Sequence, residues 1–331
     1  MPIIQSEFRS PWWMPGGHMQ TLLPVIMRPL APSTDIRFIH LPDGDQLAAD
    51  FYTADVPADQ PRKLLIATHG LEGSSRQPYV LGICHAARRA GFDVLAWNLR
   101  GCGDIDNRLP TLYYSGCSED LDAMVSWAEQ QGYRQIYLAG YSLGGNVVLK
   151  WSGEQGSNAQ IRGIQCVATA SVPVDLAGCV ETLDHWSKMI YRRRFVGDMK
   201  KRLQRKAKKF PDLIDLSVLE KIHTLRDYDH YVSAPLNGFS SADELYTRCS
   251  AKYFLHRIAV PTLLVNAQND PFLNAACYPM DEARDHPTLT LELTRTGGHV
   301  GYLSSSGDWW MDQRFLQYFS QHATTTFREP H

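Results

Sequence analysis

The sequence predicts an α/β fold: a mostly parallel, doubly wound sheet with an N-terminal antiparallel hairpin and a helical lid insertion. Three observations carry this expectation. After Pro61, apolar runs recur without strict alternation, as strands covered on both faces require. Amphipathic helical stretches separate these runs, so strand and helix alternate through right-handed crossovers. From about residue 172 to 250 the rhythm stops, and helical patterns, loops and a dense basic run take its place.

In chain order, residues 35–40 and 47–53 are short alternating runs joined by Leu41-Pro-Asp-Gly-Asp-Gln46, where Asp43-Gly44 supplies hairpin turn chemistry. Buried strands are expected over 63–68, 93–98, 135–139, 163–170, 262–267 and 289–293. Helices are expected over 77–90, 117–131, 143–154, 274–285 and 308–322. The 172–250 segment reads as a lid over the carboxyl edge of the sheet, within one domain spanning 1–331. Trp12, Trp13 and His18 read as an aromatic-rich arm packed on the domain, with the lining of an acyl pocket as the alternative.

Composition excludes several classes. The 331 residues are 44% hydrophobic and 21% charged, enough for a large buried core. Thirty-three Lys and Arg against 35 Asp and Glu leave a formal charge of -2, which disfavours a uniformly cationic nucleic-acid protein. Seven cysteines without a C-x-x-C pair argue against a zinc ribbon or a disulfide framework and fit a reducing compartment. No basic n-region precedes an apolar h-region, and no run reaches the ~18 apolar residues of a membrane span, so a cytoplasmic protein is expected. No phosphate loop, dinucleotide fingerprint or metal-ligand cluster stands out, and no cofactor or metal is expected.

Gly140-Tyr141-Ser142-Leu143-Gly144 directly follows the 135–139 strand and opens the 143–154 helix, the context a G-x-S-x-G nucleophile elbow needs. The glycines serve a steric purpose, because a Cβ at 140 or 144 would collide where backbone and helix approach. A serine hydroxyl needs a general base, and the base needs an orienting carboxylate. Asp270 falls in the loop after the 262–267 strand, and His299 falls in Thr296-Gly297-Gly298-His299 after the 289–293 strand. The chain order Ser142, Asp270, His299 and the strand-end positions select these residues. Asp281 and Asp285 lie on an exposed helical stretch and rank below Asp270. The Gly-rich loop His69-Gly70-Leu71-Glu72-Gly73 can present the N–H of Leu71, which with the N–H of Leu143 makes an oxyanion hole. His69 itself reads as a structural imidazole near the elbow.

The chain resembles the YheT-like family of α/β-hydrolases, which includes eukaryotic esterases and lipases. The residues carrying the resemblance are Gly16-Gly-His-Met-Gln-Thr21, His69-Gly-Leu-Glu-Gly-Ser-Ser75, Asn98-Leu-Arg-Gly-Cys-Gly103, Gly140-Tyr-Ser-Leu-Gly-Gly-Asn146, Ala234-Pro-Leu-Asn-Gly-Phe239, Asn269-Asp-Pro-Phe272 and Gly297-Gly-His299. Asn237 stands where a histidine is expected in the fifth of these. The resemblance implies a Ser142, Asp270, His299 triad and carboxylic-ester hydrolysis, with an ester, such as an acyl lipid, as the small-molecule substrate.

Residues 188–209 hold eleven Lys and Arg against the single acid Asp198, a net +10 that leaves -12 for the rest of the chain. Trp186, Met189, Tyr191, Phe195 and Leu203 interleave with the charges, as in a basic amphipathic helix over apolar surface. A solvated helix face is the plain reading, and peripheral contact with an anionic membrane through this lid is the sharper one. The sequence as a whole predicts a serine esterase or lipase-like enzyme. An acyltransferase using the same machinery and a catalytically idle lipid- or partner-binding module are its rivals.

Overall fold

A computed structural model of the chain describes residues 3–55, 57 and 62–322. Nine strands form one sheet: β1 (Ile3–Gln5), β2 (Asp35–His40), β3 (Gln46–Tyr52), β4 (Lys63–Thr68), β5 (Phe92–Trp97), β6 (Gln135–Tyr141), β7 (Ile164–Ala170), β8 (Thr262–Ala267) and β9 (Leu289–Thr294). Their order across the sheet is β1-β9-β8-β7-β6-β4-β5-β3-β2. β2 and β3 form the expected antiparallel hairpin, β3 runs antiparallel to β5, and every other pairing is parallel. Gly44, at φ +88°, supplies the left-handed residue of the hairpin turn.

Both faces of the sheet are apolar, and each packs its own helix layer. In β6, Ile136 and Leu138 face a core shared with Leu121, Met124 and Val125 of the helix Ser118–Gln130 and with Val147 and Val148 of the helix Leu143–Gln155. Tyr137, Ala139 and Tyr141 face the opposite core, with Val80 and Ile83 of the helix Pro78–Arg89 and Phe315 and Phe319 of the helix Trp310–His322. Period-two alternation between two apolar cores is what turns a sandwiched strand into a near-continuous apolar run.

Between β7 and β8 the described residues form helices and no strand, the longest of them Met189–Lys209. Tyr191, Met199 and Leu203 of that helix share a third core with Leu183, Leu225 and Tyr228 of the same segment and with Phe272 of the sheet edge.

Two expectations require correction, and two elements were not anticipated. The helix expected over 274–285 is interrupted at Pro279, leaving a short 3₁₀ turn Ala275–Cys277 and the helix Met280–Arg284; proline has no N–H to continue the ladder. The N-terminal aromatic arm packs only in part: His18 stacks on Tyr191, whereas Trp12 is 91% exposed and Trp13 is also exposed. The helix Gly16–Met27 was not anticipated, because its apolar face points outward while Gln20, Thr21 and Pro24 are buried. β1 was also missed; three residues carry too little pattern to be read as a strand until β9 pairs with them.

Candidate active site

Four parallel strands that are neighbours or near neighbours end on one edge of the sheet, and the loops that follow converge there. β6 delivers Ser142, β8 Asp270, β9 His299, and β4 the loop carrying Leu71. Ser142 sits at φ 52°, ψ −126°, a conformation that costs a non-glycine residue of order 1–3 kcal/mol. The tight turn needs its glycines: a Cβ on Gly144 would lie 2.2 Å from the His69 carbonyl oxygen, and one on Gly70 would lie 2.9 Å from the Ser142 Cβ.

The three side chains form one chain of hydrogen bonds. His299 Nδ1 lies 2.8 Å from Asp270 Oδ2, and His299 Nε2 lies 2.8 Å from Ser142 Oγ. An Nδ1–H donating to the carboxylate leaves Nε2 as acceptor of the serine hydroxyl proton. Asp270 is buried, and its other oxygen accepts the Phe272 N–H at 2.9 Å, which fixes the carboxylate plane. The Phe272 ring packs 4.3 Å from the His299 ring. Asp281 is exposed and pairs with Arg284 instead.

The amides expected to receive an oxyanion are free to do so. In the β4 loop the N–H groups of Gly70, Glu72 and Gly73 donate to Tyr79 Oη, Tyr113 Oη and the Gly70 carbonyl. Among the described residues the N–H of Leu71 meets no acceptor, and neither does that of Leu143 in the first turn of its helix. His69 is bonded within its own loop and to the strand-end turn at Leu99. Burial pushes its pKa down to about 4, and the neutral ring donates from Nδ1 to the Gly70 carbonyl while Nε2 accepts the Leu99 N–H.

Several positioning residues were not foreseen. The His299 N–H donates to Thr21 Oγ1 at 2.9 Å, and Gln20 Oε1 accepts the N–H of Gly297 and the amide of Asn269. The adjacent polar pair Gln20 and Thr21 inside a mostly apolar helix was the available signal. Glu72 lies at φ 52°, and its carboxylate accepts from Tyr113 Oη and pairs at 2.7 Å with Arg202 of the Met189–Lys209 helix. The Arg202 guanidinium is 3% exposed and lies 4.2 Å from the Tyr113 ring centre. Thus the helical segment is tied to the loop that bears Leu71.

The basic run is therefore not one solvated face. Lys206 is buried against Asp106 and Asn107, Lys209 also meets Asp106, and Arg192 and Lys200 donate to the Asp184 and Leu219 carbonyls. Nor do all its interleaved apolar residues pack: Tyr191 and Leu203 are buried, whereas Trp186 and Met189 are exposed.

Two cavities meet at Ser142 and His299. One, of about 710 Å³, lies beneath the helical segment and is walled by Leu176, Val180, Leu183, Phe195 and Met199, with Asp229 and Ser233 at its polar end. The other, of about 770 Å³, is bounded by Leu22 and Val25 of the Gly16–Met27 helix and by Tyr191 and Arg194. Leu22, Val25 and Arg194 are exposed, so this second cavity reaches the surface. Among the described residues no cluster of three or more His, Cys, Asp or Glu could hold a metal ion, and no helix is long and apolar enough to cross a membrane.

Comparison with known proteins gives one consistent result. The family described as alpha/beta hydrolase fold matches residues 63–306. The chain is 31% identical over 305 residues to YheT of Escherichia coli (strain K12), a protein provisionally named an esterase, covering 90% of this chain and 88% of that one. It is 26% identical over 331 residues to the phospholipase ABHD3 of Mus musculus, covering 96% and 79%. Among solved structures, an esterase of Pyrococcus furiosus superposes with a TM-score of 0.58 at 16% identity, over 89% of this chain and 92% of that one, a likeness of fold.

Proposed function

Because the chain belongs to the esterase- and lipase-type α/β-hydrolase fold family, among the YheT-like proteins, we propose that it is a serine carboxylic-ester hydrolase acting through an acyl-enzyme. The observation that carries this reading is the chain of hydrogen bonds from Asp270 through His299 to Ser142, at the floor of two confluent cavities. Ser142 Oγ attacks the ester carbonyl as His299 Nε2 takes its proton. The Leu71 and Leu143 N–H groups receive the negative charge that develops on the carbonyl oxygen. As the carbon–oxygen bond to the alcohol breaks, His299 returns the proton to the leaving oxygen, leaving the acyl group on Ser142. Water activated by His299 then repeats the cycle and releases the acid. Asp270 holds the imidazole in the required tautomer throughout.

The apolar cavity beneath the 172–250 segment suits the acyl chain, and that segment acts as a lid within one domain. The surface-reaching cavity suits the alcohol or head group. A p-nitrophenyl ester series of increasing acyl length tests this reading. Burst release of p-nitrophenol followed by steady turnover is expected, and no turnover of any member overturns the reading. In the same assay with added ethanol, acid as the main product supports hydrolysis, whereas ethyl ester as the main product points to acyl transfer.

A further inference from the structure

We propose that the outward face of the Gly16–Met27 helix and the first turns of the Met189–Lys209 helix form a docking face for an anionic lipid surface, over the open end of the cavity leading to Ser142. The proposal rests on the ester-hydrolase reading for what that cavity is used for, but not for the binding itself.

The N-terminal helix is amphipathic in the inverted sense. It turns Gln20 and Thr21 inward, where they hold the loops of Asp270 and His299, and leaves Met19, Leu22 and Ile26 exposed at i, i+3, i+7 spacing. Ile26 is 77% exposed, and Trp12 lies just before the helix. A second stripe runs from the 3₁₀ turn Trp186–Lys188 into the basic helix, with Trp186 77% and Ile190 80% exposed. The two elements touch: the His18 ring stacks on Tyr191 with its Nδ1 3.0 Å from the Tyr191 hydroxyl, and Lys188 Nζ lies 3.5 Å from His18 Nε2. Between the stripes lies the cavity that reaches the surface. Exposed apolar residues gathered on two touching elements fit an interaction site.

Charge decides the occupant. While the C-terminal part of the basic helix spends Arg202, Lys206 and Lys209 on internal acids, Arg193 and Arg194, next to the apolar stripe, are exposed and have no acidic partner among the described residues. Exposed apolar and aromatic side chains rimmed by unpaired cations match the boundary of an anionic lipid layer. A second copy fits less well, since a two-fold contact would bring the same arginines together.

The test uses Ser142→Ala protein, so that lipid is not consumed, with phosphatidylglycerol and phosphatidylcholine vesicles. Ser142→Ala is expected to co-sediment with phosphatidylglycerol vesicles, to bind phosphatidylcholine more weakly, and to lose binding as salt rises. Adding Ile26→Glu and Ile190→Glu is expected to weaken binding at least roughly tenfold. In the Ser142-intact protein the same pair is expected to leave turnover of p-nitrophenyl acetate unchanged. Should that pair fail to fold by circular dichroism, Trp186→Ser with Arg193→Gln makes the same test. Absence of binding to phosphatidylglycerol, equal binding to both lipids, equal binding by parent and variant, or a dimer in light scattering that Ile26→Glu dissociates each overturns the proposal. Vesicle binding by a protein without esterase activity would instead overturn the ester-hydrolase reading and leave the docking face standing.

Discussion

At the residue scale, burial separates the aspartates that could serve His299. Asp270 is buried and hydrogen-bonded to the imidazole, whereas Asp281 is exposed and paired with Arg284. Asp270→Asn is expected to keep the fold and lower kcat by roughly 10⁴ through the wrong imidazole tautomer, with Asp281→Asn unchanged; steady-state kinetics on one ester checks both. Asp229, inside the cavity beneath the helical segment, gives a separate signature in stability. Burial pushes its pKa up to about 6, against the lowering effect of hydrogen bonds from Ser233 and Tyr246. A carboxyl raised above its unfolded value stabilises the fold below the unfolded pKa, and that contribution is lost as pH rises through about 6. Between pH 4 and pH 7.5, wild type should therefore lose on the order of 3 kcal/mol relative to Asp229→Asn in urea unfolding. Parallel pH profiles for the two proteins would contradict this.

At the element scale, what the sequence made legible and what it hid follow from the same physics. β4 and β8 match their expected limits at both ends, and Ser142, Asp270 and His299 were picked out because each lies in the turn or loop after a buried strand. The Gly16–Met27 helix escaped notice because its burial is the inverse of its hydropathy, and so Thr21 and Gln20 were missed as supports of His299 and Gly297. Arg202 looked like one charge among eleven, and nothing local distinguishes it from Arg193; only the fold sets it against Glu72. Because that pair is buried, Arg202→Met should cost about 3–5 kcal/mol by stranding the Glu72 carboxylate. Adding Glu72→Gln should recover part of the loss, and Arg193→Met should cost little. Urea unfolding of the three variants measures this, and equal stability of Arg202→Met and Arg193→Met would show that the clamp contributes nothing.

At the scale of the whole molecule, parallel topology brings together groups that lie far apart in sequence. Ser142 and His299 are 157 residues apart, yet β6 and β9 end on the same edge of one sheet. Apolar cores on both faces hold those strand ends in register, and the helical segment packs against Phe272 at that edge. The most direct measurement of the central claim is labelling by a fluorophosphonate, read by mass spectrometry of the digested protein. One equivalent on Ser142 is expected, with no labelling of Ser142→Ala and an ester turnover in that variant lower by roughly 10³ or more. Labelling that persists in Ser142→Ala, or that falls on another residue of the wild type, would contradict the assignment of Ser142 as the nucleophile.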